Sequence, residues 1–171
     1  NNYEIRAISS AHYPMSELKK HKDCMEFGCS PSYCAYTGAA FEIKSAASTT
    51  LRTFGQHRHI SFKLDPKNKE YYKIIETIIK AMDVFLGVPA LLIDKDMERR
   101  ELYGKAGDFR LKQIDDLCIL EYRTLSGALG CSKEIHEWIV DNIEAAIDFV
   151  NNGDISLLES CEDIIVGLIN D

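Results

Sequence analysis

The chain reads as an α+β domain in which an antiparallel sheet is covered by helices on one face and left open on the other. Three observations predict this. Residues 58–64 and 118–125 alternate apolar and ionisable side chains with the period of two expected of a half-covered strand. The C-terminal part carries three apolar stripes at the three-and-four spacing of amphipathic helices. Strands and helices do not alternate one by one, which disfavours a doubly wound parallel sheet.

Taken in order, a short strand at the start places Glu4 and Arg6 on one face, with Tyr3, Ile5 and Ala7 behind them. Segments 28–40 and 99–110 read as ordered loops. In the next strand Ile60, Phe62 and Leu64 point one way while His57, His59, Ser61 and Lys63 point the other. Regular alternation turns Arg58 into the apolar layer. A helix follows through Tyr71, Ile74, Ile75, Ile78, Ile79, Met82 and Phe85, bracketed by Asp65-Pro66 and by Gly87-Val88-Pro89. From Cys118 to Leu125, Glu121 and Arg123 share a face with Ile119 and Leu125, and Leu120 and Tyr122 take the opposite one. A second helix runs through Ile135, Trp138, Ile139, Ile143, Ala146, Ile147 and Val150, with Ser132 as its N-cap and Asn151-Asn152-Gly153 as its stop. The third stripe is Leu157, Leu158, Cys161, Ile164, Ile165 and Leu168.

At 171 residues the length suits one domain, 1–171, with a real hydrophobic core. A net charge of -7 argues against nucleic acid as a partner. No apolar run approaches the roughly 20 residues of a membrane span, so no membrane partner is expected. Six cysteines without a secretion signal suit reduced thiols in a cytoplasmic protein. His21, Cys24, Cys29 and Cys34 are close enough in sequence to raise zinc as an alternative, but Cys-x4-Cys-x4-Cys is at the edge of the usual ligand spacing.

Several stretches could carry chemistry. His57 and His59 stand on one strand face, about 7 Å apart by the strand rise, within reach of a divalent cation and a phosphate. Glu121 and Arg123 offer a hard oxygen ligand beside a guanidinium. Residues 98–110 gather Arg99, Arg100, Lys105 and Arg110 around Gly104 and Gly107, as an anion-binding loop would. Each has a plainer reading: exposed histidines, a cross-strand salt bridge, a solvated basic loop. The chain holds neither the P-loop spacing nor Gly-x-Gly-x-x-Gly, which disfavours those two nucleotide folds.

Taken together, three segments resemble phage-encoded carboxylate-amine ligases of amidoligase type 2. They are Leu51-Arg52-Thr53-Phe54-Gly55-Gln56-His57-Arg58-His59-Ile60, Arg100-Glu101-Leu102-Tyr103-Gly104-Lys105-Ala106-Gly107-Asp108-Phe109-Arg110 and Glu121-Tyr122-Arg123-Thr124-Leu125-Ser126. Phe27-Gly28-Cys29-Ser30-Pro31-Ser32-Tyr33 is similar to a further segment of that family. The resemblance implies the glutamine synthetase-like fold and an ATP-dependent ligase that forms an amide through an acyl-phosphate. It implies ATP and Mg2+ as cofactors, small-molecule or peptide carboxylate and amine substrates, and homo-oligomers of the kind this superfamily often builds. By motif it gives His57, Glu121 and Glu4 as metal ligands, His59, Ser61 and Lys105 near the phosphates, and Arg100, Arg110 and Arg123 as catalytic cations, with Arg99 an alternative to Arg100. Gln56 and Arg58 depart from the family's Gly-Gly-His-Ile-His. The family's first strand, with its acidic ligands, has no counterpart, so the chain reads as the C-terminal portion of a longer amidoligase. The alternative function is a phage structural or interaction protein that kept the fold and lost catalysis.

Overall fold

The structure is a computed structural model, and it describes residues 8–27, 31–42 and 45–171. The expected strand with Tyr3, Glu4 and Arg6 lies outside the described residues, as does Cys29. The protein is α+β, with antiparallel sheets and helices on one side.

A small sheet pairs β1 (Ser10–His12) with β3 (Leu51–Thr53). The main sheet has the order β2 (Tyr33–Cys34), β5 (Asp108–Ile114), β6 (Leu117–Tyr122), β4 (Arg58–Lys63), and every neighbouring pair is antiparallel. Two expected loops therefore contribute strands. Residues 99–110 end inside β5, which joins β6 by a two-residue turn with Asp115 at φ 53°. Aspartate tolerates this left-handed conformation because its short side chain bonds locally. The alternation of Phe109 and Leu111 against Arg110 and Lys112, followed by Asp115-Asp116, is the hairpin signal in the sequence.

In β4 the expected alternation holds: Ile60 and Phe62 pack against the core while His59, Ser61 and Lys63 are exposed. Arg58 does turn toward the helical layer, where its Nη1 lies 3.4 Å from His136 Nδ1. It sits near the rim of that layer, half-buried, so a guanidinium is tolerated there.

After a short helix α1 (Met15–Leu18), the covered face of the sheet packs on α2 (Tyr71–Met82) and α4 (Lys133–Asn152). Ile75, Ile79 and Met82 of α2, Cys118, Leu120 and Tyr122 of β6, and Ile139 and Ala146 of α4 are each fully buried. Burying each of the larger side chains stabilises the fold by roughly 1.5–3 kcal/mol. Ser132 caps α4 by accepting from the Ile135 N–H at 3.1 Å, and α4 ends at Gly153 as its sequence indicates.

The chain does not stop at Gly87. It runs on through a wide π-type turn, Asp83–Gly87, into α3 (Val88–Ala90). Gly87 is helical and is there for closeness: a Cβ on it would fall 2.8 Å from the Tyr122 hydroxyl. Pro89 is tolerated because it stands in a first turn. The third stripe splits at Cys161 into α5 (Ser156–Ser160) and α6 (Glu162–Asn170). Leu158, Ile165 and Ile169 are buried, whereas Leu157, Ile164 and Leu168, expected in the core, face solvent.

A candidate active site on the open sheet face

Cross-strand register builds the site. Arg110 of β5 pairs directly with Glu121 of β6, and Glu121 pairs directly with His59 of β4, so three ionisable side chains form one row across the uncovered face. His57 enters from just before β4 and Arg123 from just after β6. Glu121 Oε1 lies 2.6 Å from His57 Nδ1, 2.7 Å from Arg110 Nη2 and 3.0 Å from Arg123 Nη1, and Oε2 lies 3.7 Å from His59 Nε2. The Glu121 side chain is only 12% exposed and that of Arg123 only 1%. At such burial, charge-assisted contacts are stronger than at a surface.

A second layer of contacts holds the cations. Arg123 Nε lies 3.4 Å from Asp108 Oδ1, and the Gly104 N–H donates to Asp108 Oδ2 at 2.8 Å. The Tyr103 ring meets two guanidiniums, Arg99 at 5.3 Å and Arg123 at 5.6 Å from its centroid, and His57 edge-on at 6.0 Å. Arg99 is fully buried and donates through Nη2 to the Thr124 carbonyl, leaving its Nε and Nη1 without hydrogen-bond partners.

The electrostatics follow. Burial works to raise the Glu121 carboxyl, but the Arg110 guanidinium and the other cations outweigh it and hold it below the usual carboxylate range. Burial, with Arg123 beside it, pushes the His57 imidazole down to about 4, so it is neutral at pH 7. Among the described residues, Arg99, Arg110 and Arg123 thus gather around Glu121 and Asp108, three guanidiniums to two carboxylates. Beside the row lies an open groove of about 500 Å³, lined by Pro31, Tyr33, His59, Arg110, Lys112 and Glu121 among others.

Of the residues picked from sequence, the structure brings together His57, His59, Arg110, Glu121 and Arg123. Ser61 is exposed one row along the same face, opposite Ile119. Lys105 is exposed in the loop before β5, and its carbonyl accepts from Thr124. Arg100 points elsewhere: its Nη1 donates to the Asp96 carbonyl at 3.3 Å, and the alternative, Arg99, occupies the place beside Tyr103. Glu4 lies outside the described residues. Tyr103 and Asp108 belong to the quoted motif, but nothing in their spacing assigns them a role.

Magnesium prefers several oxygen ligands. Among the described residues no group of three or more His, Cys, Asp or Glu is arranged to hold a metal ion, and the Glu121 carboxylate already faces four nitrogen-bearing side chains. These residues do not by themselves fit Mg2+, whereas the cation excess fits a phosphate or carboxylate. Cys24 and Cys34 are free thiols. No helix among the described residues is long and apolar enough to cross a membrane.

The α+β sheet carries on its open face a nearly buried carboxylate held among guanidiniums, and preorganised charges of that kind are what group-transfer enzymes use. Residues 33–148 match the family described as phage phiEco32-like COOH.NH2 ligase-type 2, and the chain belongs to that family, which is named for a ligase. No curated protein and no solved structure matches the chain.

Proposed function

We propose that the protein is an ATP-dependent ligase that joins a carboxylate to an amine through an acyl-phosphate. The observation that carries this reading is the Glu121 carboxylate clasped by His57, Arg110 and Arg123 at the edge of an open groove. Phosphoryl transfer asks a protein for positioning and charge stabilisation rather than for a nucleophilic side chain. This cluster supplies both.

In the first step a substrate carboxylate oxygen attacks the terminal phosphorus of ATP, and the bond to the ADP oxygen breaks. Arg110 and Arg123 neutralise the charge on the transferring oxygens, and Glu121 fixes both guanidiniums so that they need not reorganise. In the second step the amine nitrogen attacks the acyl carbon; the carbon–oxygen bond to phosphate breaks, phosphate leaves with the electron pair, and the nitrogen loses a proton to solvent. Neutral His57 buttresses Glu121 without adding a further charge. Magnesium enters this reading only as the ion that nucleoside triphosphates bring with them. The substrates are small-molecule or peptide carboxylates and amines, met in the cytoplasm.

The test uses the full-length protein with ATP, magnesium and a panel of amino acids and short peptides as carboxylates, with hydroxylamine as a generic amine. Carboxylate-dependent ADP release with hydroxamate formation supports the reading, and Arg110→Met should lower both by 10²-fold or more. ADP release that ignores the carboxylate, or none at all, contradicts it and favours a scaffold that has lost catalysis.

A further inference from the structure

The carboxylate of Asp83 has no part in the reaction just described. It opens the wide turn that follows α2 and is fully buried. Its Oδ1 accepts from the Tyr122 hydroxyl at 2.7 Å and from the Thr124 hydroxyl at 3.2 Å, and its Oδ2 accepts from the Gly107 N–H at 2.6 Å. Tyr122 and Thr124 flank Arg123. Gly107 immediately precedes Asp108, the carboxylate nearest Arg123 Nε. One side chain from the helical layer therefore ties down both segments from which the Arg123–Asp108 pair emerges.

The local geometry is shaped for this contact. A π-type turn inserts an extra residue and re-aims the side chains around it. Gly87, in the same turn, brings backbone so near that a Cβ would fall 3.1 Å from Asp83 Oδ1. The single Thr124 hydroxyl proton is shared between Asp83 Oδ1 and the Lys105 carbonyl, which lies 3.1 Å away, so the tie extends to the loop ahead of β5. Burying a carboxylate is costly unless hydrogen bonds satisfy it, and here they do so by joining helix to strand ends.

We propose that Asp83 is a positioning residue: through Thr124 and Gly107 it fixes the strand ends that aim Arg123 at Glu121. The inference rests on the ligase reading for what Arg123 does, and only on geometry for how Arg123 is held.

Asparagine offers one acceptor where aspartate offers two, so Asp83→Asn must lose either the Gly107 bond or the bonds from Tyr122 and Thr124. Thr124→Val removes one hydroxyl at nearly constant volume, and Thr124→Ser keeps it. The readout is the side-chain Nε–H signal of Arg123 in full-length protein carrying 15N-labelled arginine. In wild type it should be resolved and slow to exchange. In Asp83→Asn and Thr124→Val it should move and exchange at least 10-fold faster, with kcat for ADP release falling more than KM changes; Thr124→Ser should keep the wild-type signal. Ile75→Val, a core change that lowers the melting temperature without touching this network, controls for stability. An unmoved Arg123 signal in folded Thr124→Val overturns the proposal, as does an equal change in Ile75→Val. If Asp83→Asn fails to fold, Thr124→Val decides. If wild type releases no ADP, the ligase reading fails while the arginine signal still judges this inference.

Discussion

Arg110 and Glu121 stand directly opposite each other on neighbouring strands, and Arg110 Nη2 lies 2.7 Å from Glu121 Oε1. His57 and Arg123 reach the same oxygen from two other chain segments. Removing the carboxylate's charge should therefore unsettle all three. Glu121→Gln should lower ADP release by 10²- to 10³-fold and weaken the fold, because the nearly inaccessible Arg123 loses a charged partner at 3.0 Å. Steady-state kinetics and a melting curve check both, and near-normal turnover would remove Glu121 from the account.

Acid stability should show two opposed contributions. The imidazole of His57 is pushed down to about 4 by burial and Arg123, so the unfolded chain takes up a proton that the folded one refuses. Its contribution to stability is present above pH 6.5 and lost as the pH falls toward 4. Burial pushes Asp83 up to about 6, so its contribution, on the order of 3 kcal/mol, is present below pH 4 and lost as the pH rises through 6. Urea unfolding from pH 4 to 7 should show His57→Gln losing the decline on acidification and Asp83→Asn losing the decline on alkalinisation. Curves parallel to wild type would contradict both assignments.

Gly104 has φ +78°, and a Cβ there would land on the Arg99 guanidinium. Gly104→Ala should cost about 1–2 kcal/mol from backbone strain alone, and more if Arg99 is displaced from Tyr103. Chemical denaturation measures the cost. A neutral result would mean that the loop holding Arg99 relaxes freely.

Arg58 presents a different case. Its Nε and Nη2 are buried without hydrogen-bond partners, and burial lowers its pKa. Arg58→Ile should raise stability by about 1 kcal/mol, since an apolar side chain suits the face that Ile60 and Phe62 already occupy. A drop in melting temperature would show that the Arg58–His136 contact matters more than the unsatisfied nitrogens.

The strand alternation around His57 and the first two helix stripes were legible because period-two and period-3.6 patterns follow directly from which face is covered, whereas the third stripe breaks at Cys161 and turns Leu157, Ile164 and Leu168 to solvent. That same alternation gave each strand its own ionisable face, and the register then puts His59 and Glu121 side by side. β5 was hidden because Arg110 and Lys112 read as part of a basic loop, and only pairing on both sides makes Asp108–Ile114 a strand. The choice between Arg99 and Arg100 was open for a similar reason. Neighbours on a tight turn point apart, and which one meets Tyr103 depends on how that turn packs. Asp83 was invisible because its partners come from residues 107, 122 and 124, brought to it by the wide turn rather than by spacing.

The most direct measurement follows an oxygen atom. Full-length protein is incubated with ATP, magnesium, an amine and the accepted carboxylate labelled with 18O, and the released phosphate is weighed by mass spectrometry. An acyl-phosphate route predicts one 18O per phosphate, appearing in step with amide and depending on Glu121. Amide formed with unlabelled phosphate, or label delivered to AMP instead, would contradict the account.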